Sequence, residues 1–349
     1  MKEALVSKGP KVQIVDSPIP EPNDDQVLIK VVVSGSNPKD WKLPNLFGGS
    51  TNEGDDIAGI VEKVGANVFE FKPGDRVAAF HEMRTPAGSY AEYAIAWQHT
   101  TFHIPKDTSF EEAATIPLAA MTAAVGLHLR LGLPQPWSPE VADLGRMPVI
   151  IYGAASSVGI YALQLARRAN IHPLLCVAGR ACDYVEGFID RSKGDVIIDY
   201  RKGDEAVIAG LLEALKGQPP VRHVLDTVSE GSSITNIAEV YRRQAEARGE
   251  APKGKVTFVL GGDKKGLPEG VEWSITMVGS VHKEAKDFGY VYFRYFAKGL
   301  QQGWFKGQTV EAVPGGLGGV QTALENLMNG KASGVKYVFR IAETEGVGK

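Results

Sequence analysis

A short glycine-rich turn is the part of the sequence best suited to chemistry with phosphate. The apolar run 149–152 leads into residues 153–159 (GAASSVG), and apolar residues then recur at helical spacing. Free N–H groups at a helix N-terminus carry partial positive charge and bind a pyrophosphate. The three glycine positions of a G-x-G-x-x-G fingerprint are here Ala154, Ser156 and Gly159. The turn therefore predicts a dinucleotide site, with a tight βα turn that binds no ligand as the alternative.

The residue after the next buried strand bears on which dinucleotide would bind. NAD-selective sites place Asp or Glu there, where the carboxylate accepts a hydrogen bond from the ribose 2′-hydroxyl. This strand runs into Gly179 and Arg180, and no carboxylate occurs before Asp183. A guanidinium can pair with a 2′-phosphate through charge-assisted hydrogen bonds. The sequence favours NADPH over NADH, with a solvated surface arginine as the alternative interpretation of Arg180.

Two kinds of segment must position these residues. The first 120 or so residues contain short β-branched runs bounded by Pro and Gly, which predict a small barrel or sandwich. Later, buried strands alternate with helices, which predicts a parallel, doubly wound sheet. The early strands are predicted at 12–15, 27–33, 57–65 and 76–80. The later strands are predicted at 149–152, 173–177, 196–200, 223–226, 256–260 and 335–340, and the helices at 204–216, 232–247 and 316–330.

Composition excludes several classes of protein. The chain has 349 residues, a formal net charge of -3 and two cysteines. This length predicts about two domains. A slightly acidic chain lacks the basic face that nucleic acid or an anionic membrane would require. Two cysteines support neither a disulfide framework nor a Cys-rich zinc site, and the N-terminus shows no apolar signal sequence, so a cytoplasmic location is expected.

Motifs in the right order over almost the whole chain resemble the medium-chain dehydrogenase/reductases, in particular the zinc-free quinone oxidoreductase and enoyl reductase branch. They are 54–59 (GDDIAG), 72–77 (KPGDRV), 88–93 (GSYAEY), 113–118 with 121–123, and 329–334 (NGKASG). Residues 36–42 (SNPKDWK), 84–88 and 131–134 (LGLP) resemble the fungal trans-acting enoyl reductases that work with polyketide synthases. The resemblance implies an α/β chain with a split GroES-like β-barrel catalytic domain (1–120 and 285–349) and a Rossmann-type NADP-binding domain (121–284).

The resemblance also implies the site residues. Lys42 and Asn37 are the expected catalytic donors to a developing enolate oxygen. Lys42 could instead hold the cofactor, and Asn37 could only hold the turn before Pro38. Tyr90 and Tyr290 are considered as proton donors, with aromatic packing as the alternative. The positions implied to contact the cofactor are Lys39, Asp40, Trp41, Thr122, Ala155, Ser156, Ser157, Val158, Gly159, Gly179, Arg180, Tyr200, Val259, Leu260, Val335 and Lys336.

The resemblance further bears on a metal. Zinc-dependent relatives carry a Cys near residues 37–39 and a His after Gly54, whereas this chain has Asp55 there and no cysteine before Cys176. Tetrahedral zinc sites need nitrogen or sulfur ligands, so no metal is expected. Without a Lewis acid, a conjugated substrate is favoured, because hydride addition at its β-carbon leaves a delocalised enolate.

The expected activity is therefore NADPH-dependent, metal-independent reduction of an activated C=C bond (enone, enal or enoyl thioester) or of a quinone. A reductase of aldehyde or ketone carbonyls and a non-catalytic NADPH-binding scaffold protein are the alternatives. A polyketide synthase carrier domain is a candidate partner. The chain is expected as a monomer or a homodimer, and strand 256–260 could pair with its twin in a dimer.

Overall fold

The computed structural model describes residues 1–138, 145–262 and 265–347. The chain divides into two compact units, Met1–Met121 with Gly279–Lys349, and Thr122–Val278. The division of labour predicted for 1–120 with 285–349, and for 121–284, stays a prediction. Within the described ranges, none of the helices has both the length and the apolar character that crossing a membrane requires.

The first unit is built mainly from antiparallel strands. They are β1 (Lys2–Ser7), β2 (Lys11–Asp16), β3 (Gln26–Gly35), β4 (Ser50–Thr51), β5 (Asp56–Val64), β6 (Arg76–Phe80), β7 (Tyr93–Trp97), β8 (Thr101–His103), β15 (Val310–Ala312) and β16 (Lys336–Arg340). One sheet has the order β15-β16-β3-β5-β6-β8 with β7 paired to β3, and a smaller sheet has the order β2-β1-β4. Alternate residues of β3 and β5 enter a shared apolar core that includes Ile29, Ile57 and Phe339.

The second unit is a single parallel sheet with helices between its strands. Its strands are β9 (Val149–Tyr152), β10 (Leu174–Ala178), β11 (Val196–Asp199), β12 (His223–Asp226), β13 (Gly254–Phe258) and β14 (Val271–Ile275). They pair in the order β11-β10-β9-β12-β13-β14, all parallel. This is the 3-2-1-4-5-6 order of a dinucleotide-binding sheet. The predicted doubly wound sheet is confirmed.

The helices, in chain order, are α1 (Lys39–Phe47), α2 (Phe110–Ala113), α3 (Pro117–Ala124), α4 (Ser157–Arg168), α5 (Cys182–Glu186), α6 (Asp204–Ala214), α7 (Ser233–Arg248), α8 (Lys286–Gln302) and α9 (Val320–Met328). Helix α4 covers the sheet with a fully buried face that includes Tyr161 and Leu165. Helix α3 contains the link from Met121 to Thr122 and continues into a π-helical segment, Val125–Arg130.

The structure corrects several predicted elements. Strand 196–200 ends at Asp199, and Tyr200 begins a short 3₁₀ turn. Strand 256–260 lies instead at Gly254–Phe258, so Val259 and Leu260 follow it. The predicted helix 316–330 begins with a 3₁₀ turn, Gly316–Gly319, before α9. Strands β1 and β14 and helix α8 were absent from the prediction.

The predicted dimer contact through strand 256–260 is wrong. Strand β13 is paired on one side with β12 and on the other with β14, so its backbone hydrogen bonds are used within the sheet. The outer strand on this side is β14, whose Trp273 is about half exposed. An exposed outer strand, not β13, carries the backbone groups that another chain could pair with.

Gly59 tests the packing of the first unit. It lies opposite Val31 at a shift in the β3–β5 register, and a Cβ there would lie 2.1 Å from the Lys30 carbonyl oxygen. We expect Gly59→Ala to lower the free energy of unfolding by about 1–3 kcal/mol, because the two strands must separate. Urea denaturation measures this change. Gly318→Ala is the control, since a Cβ at Gly318 meets nothing within 4 Å. An equal effect of both substitutions would contradict the prediction.

Candidate active site

The turn into α1 is held by reciprocal backbone and side-chain contacts. The Asn37 N–H donates to Asp40 Oδ2 at 2.7 Å, and the Asp40 N–H donates to the Asn37 carbonyl at 3.0 Å. A carboxylate in the first turn of a helix is stabilised by the helix dipole. The phenol of Tyr90 donates a further 2.5 Å hydrogen bond to Asp40. This turn is therefore rigid at the positions of Asn37, Lys39 and Asp40.

Asn37 also belongs to a sealed ion-pair network. Lys336 Nζ lies 2.5 Å from Asp56 Oδ2, 3.1 Å from Asn37 Oδ1 and 3.4 Å from the Thr115 carbonyl oxygen. The Asn37 amide donates to Asp56 at 2.7 Å, and the Leu118 N–H donates to the other oxygen of Asp56. The Lys336 and Asp56 side chains are 2% and 0% exposed. Each charge is matched one to one and hydrogen-bonded, as a buried pair requires.

A second group of charges, here called the Lys39 cluster, consists of Lys39, Asp40, Glu53, Asp55 and Tyr90. Lys39 Nζ lies 2.5 Å from Asp55 Oδ2, 3.0 Å from Asp40 Oδ1 and 3.7 Å from Glu53 Oε2. It also donates to the Glu53 carbonyl oxygen at 2.5 Å. One ammonium thus faces three buried carboxyl groups.

This excess of carboxyl groups changes the proton affinities in the Lys39 cluster. Burial, with the nearby Asp40 charge adding to it, raises the pKa of Asp55 to about 8 even though Lys39 opposes the shift. Burial also raises the pKa of Asp40. For Lys39, burial disfavours the charge, but the carboxylates of Asp40, Asp55 and Glu53 outweigh it and raise the pKa. At neutral pH the Lys39 cluster holds an ammonium together with a protonated Asp55.

In the second unit, the turn after β9 is shaped for a phosphate. Gly153 has φ +80°, and a Cβ there would lie 2.5 Å from Thr227 Oγ1. A Cβ at Gly159 would lie 2.4 Å from the Gly153 carbonyl oxygen, so α4 packs closely on the strand. Ser156 caps α4 by accepting from the Gly159 N–H at 3.0 Å and bonds Thr227 Oγ1 at 2.8 Å.

Helix geometry leaves the first N–H groups of α4, those of Ser157 and Val158, without a carbonyl one turn earlier. Ala155 is small and only partly buried, so a ligand can approach this backbone. A pyrophosphate needs such a close approach and such N–H donors. The residues present therefore fit the pyrophosphate of a nicotinamide dinucleotide.

The strand ends beside this turn suit the adenosine half of the same ligand. The ring of Tyr200 lies against Gly179, where a Cβ would be 2.5 Å from Tyr200 Cε1. Tyr200 is 51% exposed, and Arg180 next to Gly179 is exposed as well. Asp199 faces Arg201 at 2.6 Å, and this hydrogen-bonded pair lowers the pKa of Asp199 to about 2. The described strand ends thus present an aromatic face beside an exposed guanidinium.

The structure brings the predicted site residues together in two groups, one in each unit. In the first unit, Asn37, Lys39, Asp40 and Lys336 share the buried networks, Trp41 and Lys42 are partly exposed on α1, and Val335 directly precedes β16. In the second unit, the predicted residues from Ala155 to Leu260 lie after the carboxyl ends of β9, β10, β11 and β13. Thr122 is buried in α3. In open parallel sheets this carboxyl edge is where ligands bind.

Potential metal ligands were also located. In the described part of the chain, no group of three or more His, Cys, Asp or Glu side chains is arranged to hold a metal ion. His99 contacts the Val281 carbonyl oxygen at 3.0 Å, whereas His103 contacts Asp75 at 3.2 Å. These two histidines have different partners and do not form a shared ligand set.

Sequence reasoning missed the two partners that define the Lys39 cluster, Glu53 and Asp55, and the hydroxyl of Thr227 beside the phosphate turn. Asp55 was noted only as the replacement for a zinc ligand. The available signal was the run Gly54-Asp55-Asp56 at the start of a strand with strongly apolar neighbours. Two adjacent carboxylates at a buried strand end need cations, but the run does not show which lysines supply them. Thr227 carried no comparable signal.

The Lys39 cluster generates a prediction about stability. The pKa of Asp55 is about 8 in the folded chain, against an ordinary value of 3.8. Between these pH values the folded state holds a proton that the unfolded state releases, so stability falls as pH rises. An asparagine at this position is neutral at every pH, so its burial requires no bound proton. We expect Asp55→Asn to raise Tm relative to the wild type, with a gain that grows from pH 4 to about pH 8 and reaches about 2–4 °C.

Thermal unfolding monitored at several pH values tests this. Asp16→Asn is the matched control, because the exposed Asp16 is paired with Lys2, which lowers its pKa. Asp16 is ionised in both states above about pH 5, so its effect should not change over this interval. A flat difference for Asp55→Asn would contradict the raised pKa of Asp55.

Comparisons with known proteins agree with this geometry. Residues 23–106 match the alcohol dehydrogenase GroES-like domain. The chain is 48% identical to the trans-enoyl reductase fsr4 of Gibberella fujikuroi over 318 residues, covering 90% of this chain and 91% of that protein. It is 34% identical to the chloroplastic quinone-oxidoreductase homolog of Spinacia oleracea over 201 residues, covering 55% and 57% of the two chains.

Solved structures share the fold over nearly the whole chain. The CurK enoyl reductase superposes with a TM-score of 0.73 at 19% identity, covering 97% of this chain and 98% of that one. The quinone oxidoreductase from Coxiella burnetii gives a TM-score of 0.72 at 23% identity, covering 97% and 99%. The predicted fold class, a GroES-like part with a Rossmann-type parallel sheet, is confirmed.

The family resemblance predicted from the motifs is also confirmed. These likenesses make the protein an oxidoreductase, and its family uses a nicotinamide cofactor with small-molecule substrates. The chain belongs to the medium-chain dehydrogenase/reductase superfamily, in its zinc-free branch of enoyl reductases and quinone oxidoreductases.

Proposed function

We propose that the protein transfers hydride from NADPH to an activated C=C bond, in an enone, enal or enoyl thioester, or to a quinone, without a metal. The observation that carries this proposal is the contact of the Lys39 ammonium with the Asp55 carboxyl group at 2.5 Å. Asp55 stands where zinc-dependent relatives carry a histidine ligand, and here that carboxyl group is engaged by an ammonium. An ammonium donor, not a Lewis acid, then stabilises the charge that develops on the substrate.

NADPH, when bound, supplies the hydride. Its pyrophosphate is assigned to the N–H groups of Ser157 and Val158. Arg180 and Tyr200 are assigned to the 2′-phosphate and the adenine. No carboxylate follows β10 until Asp183, which supports the phosphorylated cofactor over NADH. Of the remaining predicted contacts, Thr122, Val259 and Leu260 of the second unit are assigned to the nicotinamide half, whereas the Lys336 ammonium is already bound by Asp56 and Asn37.

Substrate activation is assigned to the turn that begins α1. Hydride addition to a conjugated C=C bond leaves negative charge spread over an enolate, which a few hydrogen-bond donors can stabilise. Lys42 is the proposed donor to the enolate oxygen. The Asn37 amide is already hydrogen-bonded to Asp56 and Lys336, so its contribution is to hold this turn in place.

The relatives named trans-enoyl reductases support an enoyl thioester as the physiological substrate class. A polyketide synthase carrier domain would present such a thioester. A panel of an enone, an enal, a free enoyl thioester and a carrier-bound enoyl thioester, each with NADPH, tests the function. Saturation of the C=C bond supports the proposal, whereas an allylic alcohol product would show a carbonyl reductase. If NADPH is oxidised with none of these substrates, the protein would instead be a non-catalytic NADPH-binding scaffold.

Arg180 is predicted to determine the choice between NADPH and NADH. Arg180→Ala should raise the Kd of NADPH by about tenfold or more and leave that of NADH nearly unchanged, because a charge-assisted pair contributes about 1.5–3 kcal/mol. Fluorescence titration with each cofactor measures both constants. Arg248→Ala is the control, since Arg248 ends α7 before β13, at the opposite edge of the sheet from the phosphate turn. Equal wild-type affinity for the two cofactors would reject the assignment of Arg180.

The role of Lys42 can be determined by separating its effects on kcat and on cofactor binding. If its ammonium stabilises the enolate, Lys42→Ala should lower kcat by roughly 10²-fold with little change in the Kd of NADPH. If Lys42 only holds the cofactor, the loss should appear in NADPH binding, with kcat nearly intact at saturation. Steady-state kinetics together with direct binding separates these roles. Wild-type values for both constants would remove Lys42 from the site.

A further inference from the structure

The Lys39 cluster and the network of Lys336 are two buried charge groups in one unit with opposite character. In the network, one ammonium meets one carboxylate, and both oxygens of Asp56 accept hydrogen bonds. In the Lys39 cluster, one ammonium meets three carboxyl groups. The network is balanced, as a structural pair should be. The Lys39 cluster carries an excess of carboxyl groups, which a purely structural role does not require.

The Lys39 cluster contains buried carboxyl oxygens without a hydrogen-bond partner among the described residues, in Asp40 and Glu53 as well as in Asp55. Asp55 is 1% exposed, and its Oδ1 is one of these oxygens. A buried carboxylate normally has both oxygens satisfied. Burial raises the pKa of Asp55 to about 8, with Asp40 adding to the shift. These surroundings therefore favour Asp55 as a carboxylic acid that keeps its proton at neutral pH.

Lys39 connects this acid to a more accessible side of the unit. Its side chain is 16% exposed, whereas that of Lys336 is 2% exposed. Lys39 and Lys42 are three residues apart on α1, so their side chains lie on the same helix face. The ammonium of Lys39 therefore lies between the buried acid Asp55 and the helix face to which the proposed function assigns the substrate.

We propose that Lys39 and Asp55 supply the proton that the reaction consumes, an inference that rests on the proposed function. Hydride adds to the β-carbon, and the electron pair of the C=C bond moves into the enolate. An Nζ–H bond of Lys39 breaks as its proton forms the new C–H bond at the α-carbon. The Nζ lone pair then takes the proton of the Asp55 carboxyl group, and the resulting carboxylate regains a proton from solvent. Lys39 is the catalytic residue, and Asp55 returns a proton to it after each transfer.

The groups around this pair define its pH dependence. Those that face it are Asp40 on α1, Glu53 before β5, Asp56 on β5 with its partner Lys336 on β16, His81 after β6, and Tyr90. Burial lowers the pKa of His81 and raises that of Tyr90, so both are neutral near pH 8. Asp56 is matched by Lys336. Burial, together with the negative charges of Asp40 and Asp56, keeps the proton on Asp55.

Variants of Asp55 and its neighbour test the proton source through the pH profile of kcat. Wild-type kcat should fall above about pH 8, where Asp55 loses its proton. Asp55→Asn should lower kcat by roughly 10²-fold and abolish this alkaline fall, because the reserve proton is gone. Asp40→Asn should move the alkaline fall to lower pH, since the negative charge of Asp40 raises the pKa of Asp55. Asp16→Asn, an exposed control, should keep the wild-type profile.

Lys39→Arg tests the transfer itself. Arg keeps the positive charge that the three carboxyl groups need but does not release a proton, so the variant should fold and bind NADPH. With an α-methyl enone in heavy water, the wild type should give one α-deuterated epimer. Lys39→Arg should give both epimers at a lower kcat, because water then delivers the deuteron. Carboxyl-¹³C NMR of the cofactor-free protein should show one resonance titrating near pH 8 that Asp55→Asn removes.

Each outcome decides the question. An Asp55→Asn variant with wild-type kcat and an intact alkaline fall, a single epimer from Lys39→Arg, or no carboxyl group titrating near pH 8 would overturn the assignment of the proton source. In each of these cases the wild type would still reduce the enone, so the proposed function would stand. A wild type that reduces none of the activated substrates would instead reject the proposed function, and this inference with it.

Discussion

The adjacent carboxyl groups of Asp55 and Asp56 at the start of β5 are the constraint on which the first unit depends. Both are almost completely buried, and each requires a cation that the chain supplies from a distant position. Lys336, 280 residues along the chain from Asp56, arrives on β16 next to β3. Removing one partner of such a buried pair costs about 3–5 kcal/mol. The pair therefore fixes the C-terminal strand against the N-terminal sheet, which explains how a unit split in sequence holds together.

The two carboxyl groups solve the problem of burial in different ways. Asp56 stays matched to Lys336 and accepts from Asn37 and the Leu118 backbone, so four segments of the unit meet at one carboxylate. Asp55 shares Lys39 with two other acids and keeps an oxygen without a partner. The arrangement around Asp56 satisfies both carboxylate oxygens. The arrangement around Asp55 leaves one oxygen without a partner and favours the protonated acid. A site that performs proton chemistry needs the second arrangement, and the first holds it in place.

The sequence predicted the second unit well because its signals are local. Strands β9 and β10 are continuous apolar runs, and the small residues between β9 and α4 indicate a phosphate turn without reference to any distant residue. The misses have physical reasons. Strand β14 lies at the edge and carries polar, exposed residues, so it lacks the apolar run of a central strand. Helix α8 buries a face of aromatic residues and two glycines, which have low helix propensity.

The charge networks could not be predicted in the same way, because their members are far apart in the sequence. Nothing in the residues near Lys39 shows that Asp55 contacts it, and nothing near Asp56 indicates Lys336. Only the folded arrangement of α1, β5 and β16 identifies these partners. Motif comparison located Lys39, Lys336 and Asn37 as site residues, yet it could not distinguish a group that holds the turn from a group that exchanges a proton.

In the proposed function, the two units use different parts of the chain for recognition. In the second unit, two of the three fingerprint glycines are replaced by Ala154 and Ser156, yet the turn keeps its shape. Gly153 provides the positive φ, Gly159 allows α4 to approach the strand, and Ser156 caps the helix. A phosphate bound there would be recognised by backbone N–H groups, so side chains can vary as long as they stay small. The first unit depends on side-chain charges, where the loss of one carboxyl group changes the charge balance of the whole cluster. Substitutions in the first unit should therefore alter the proposed chemistry more than they alter the phosphate turn of the second unit.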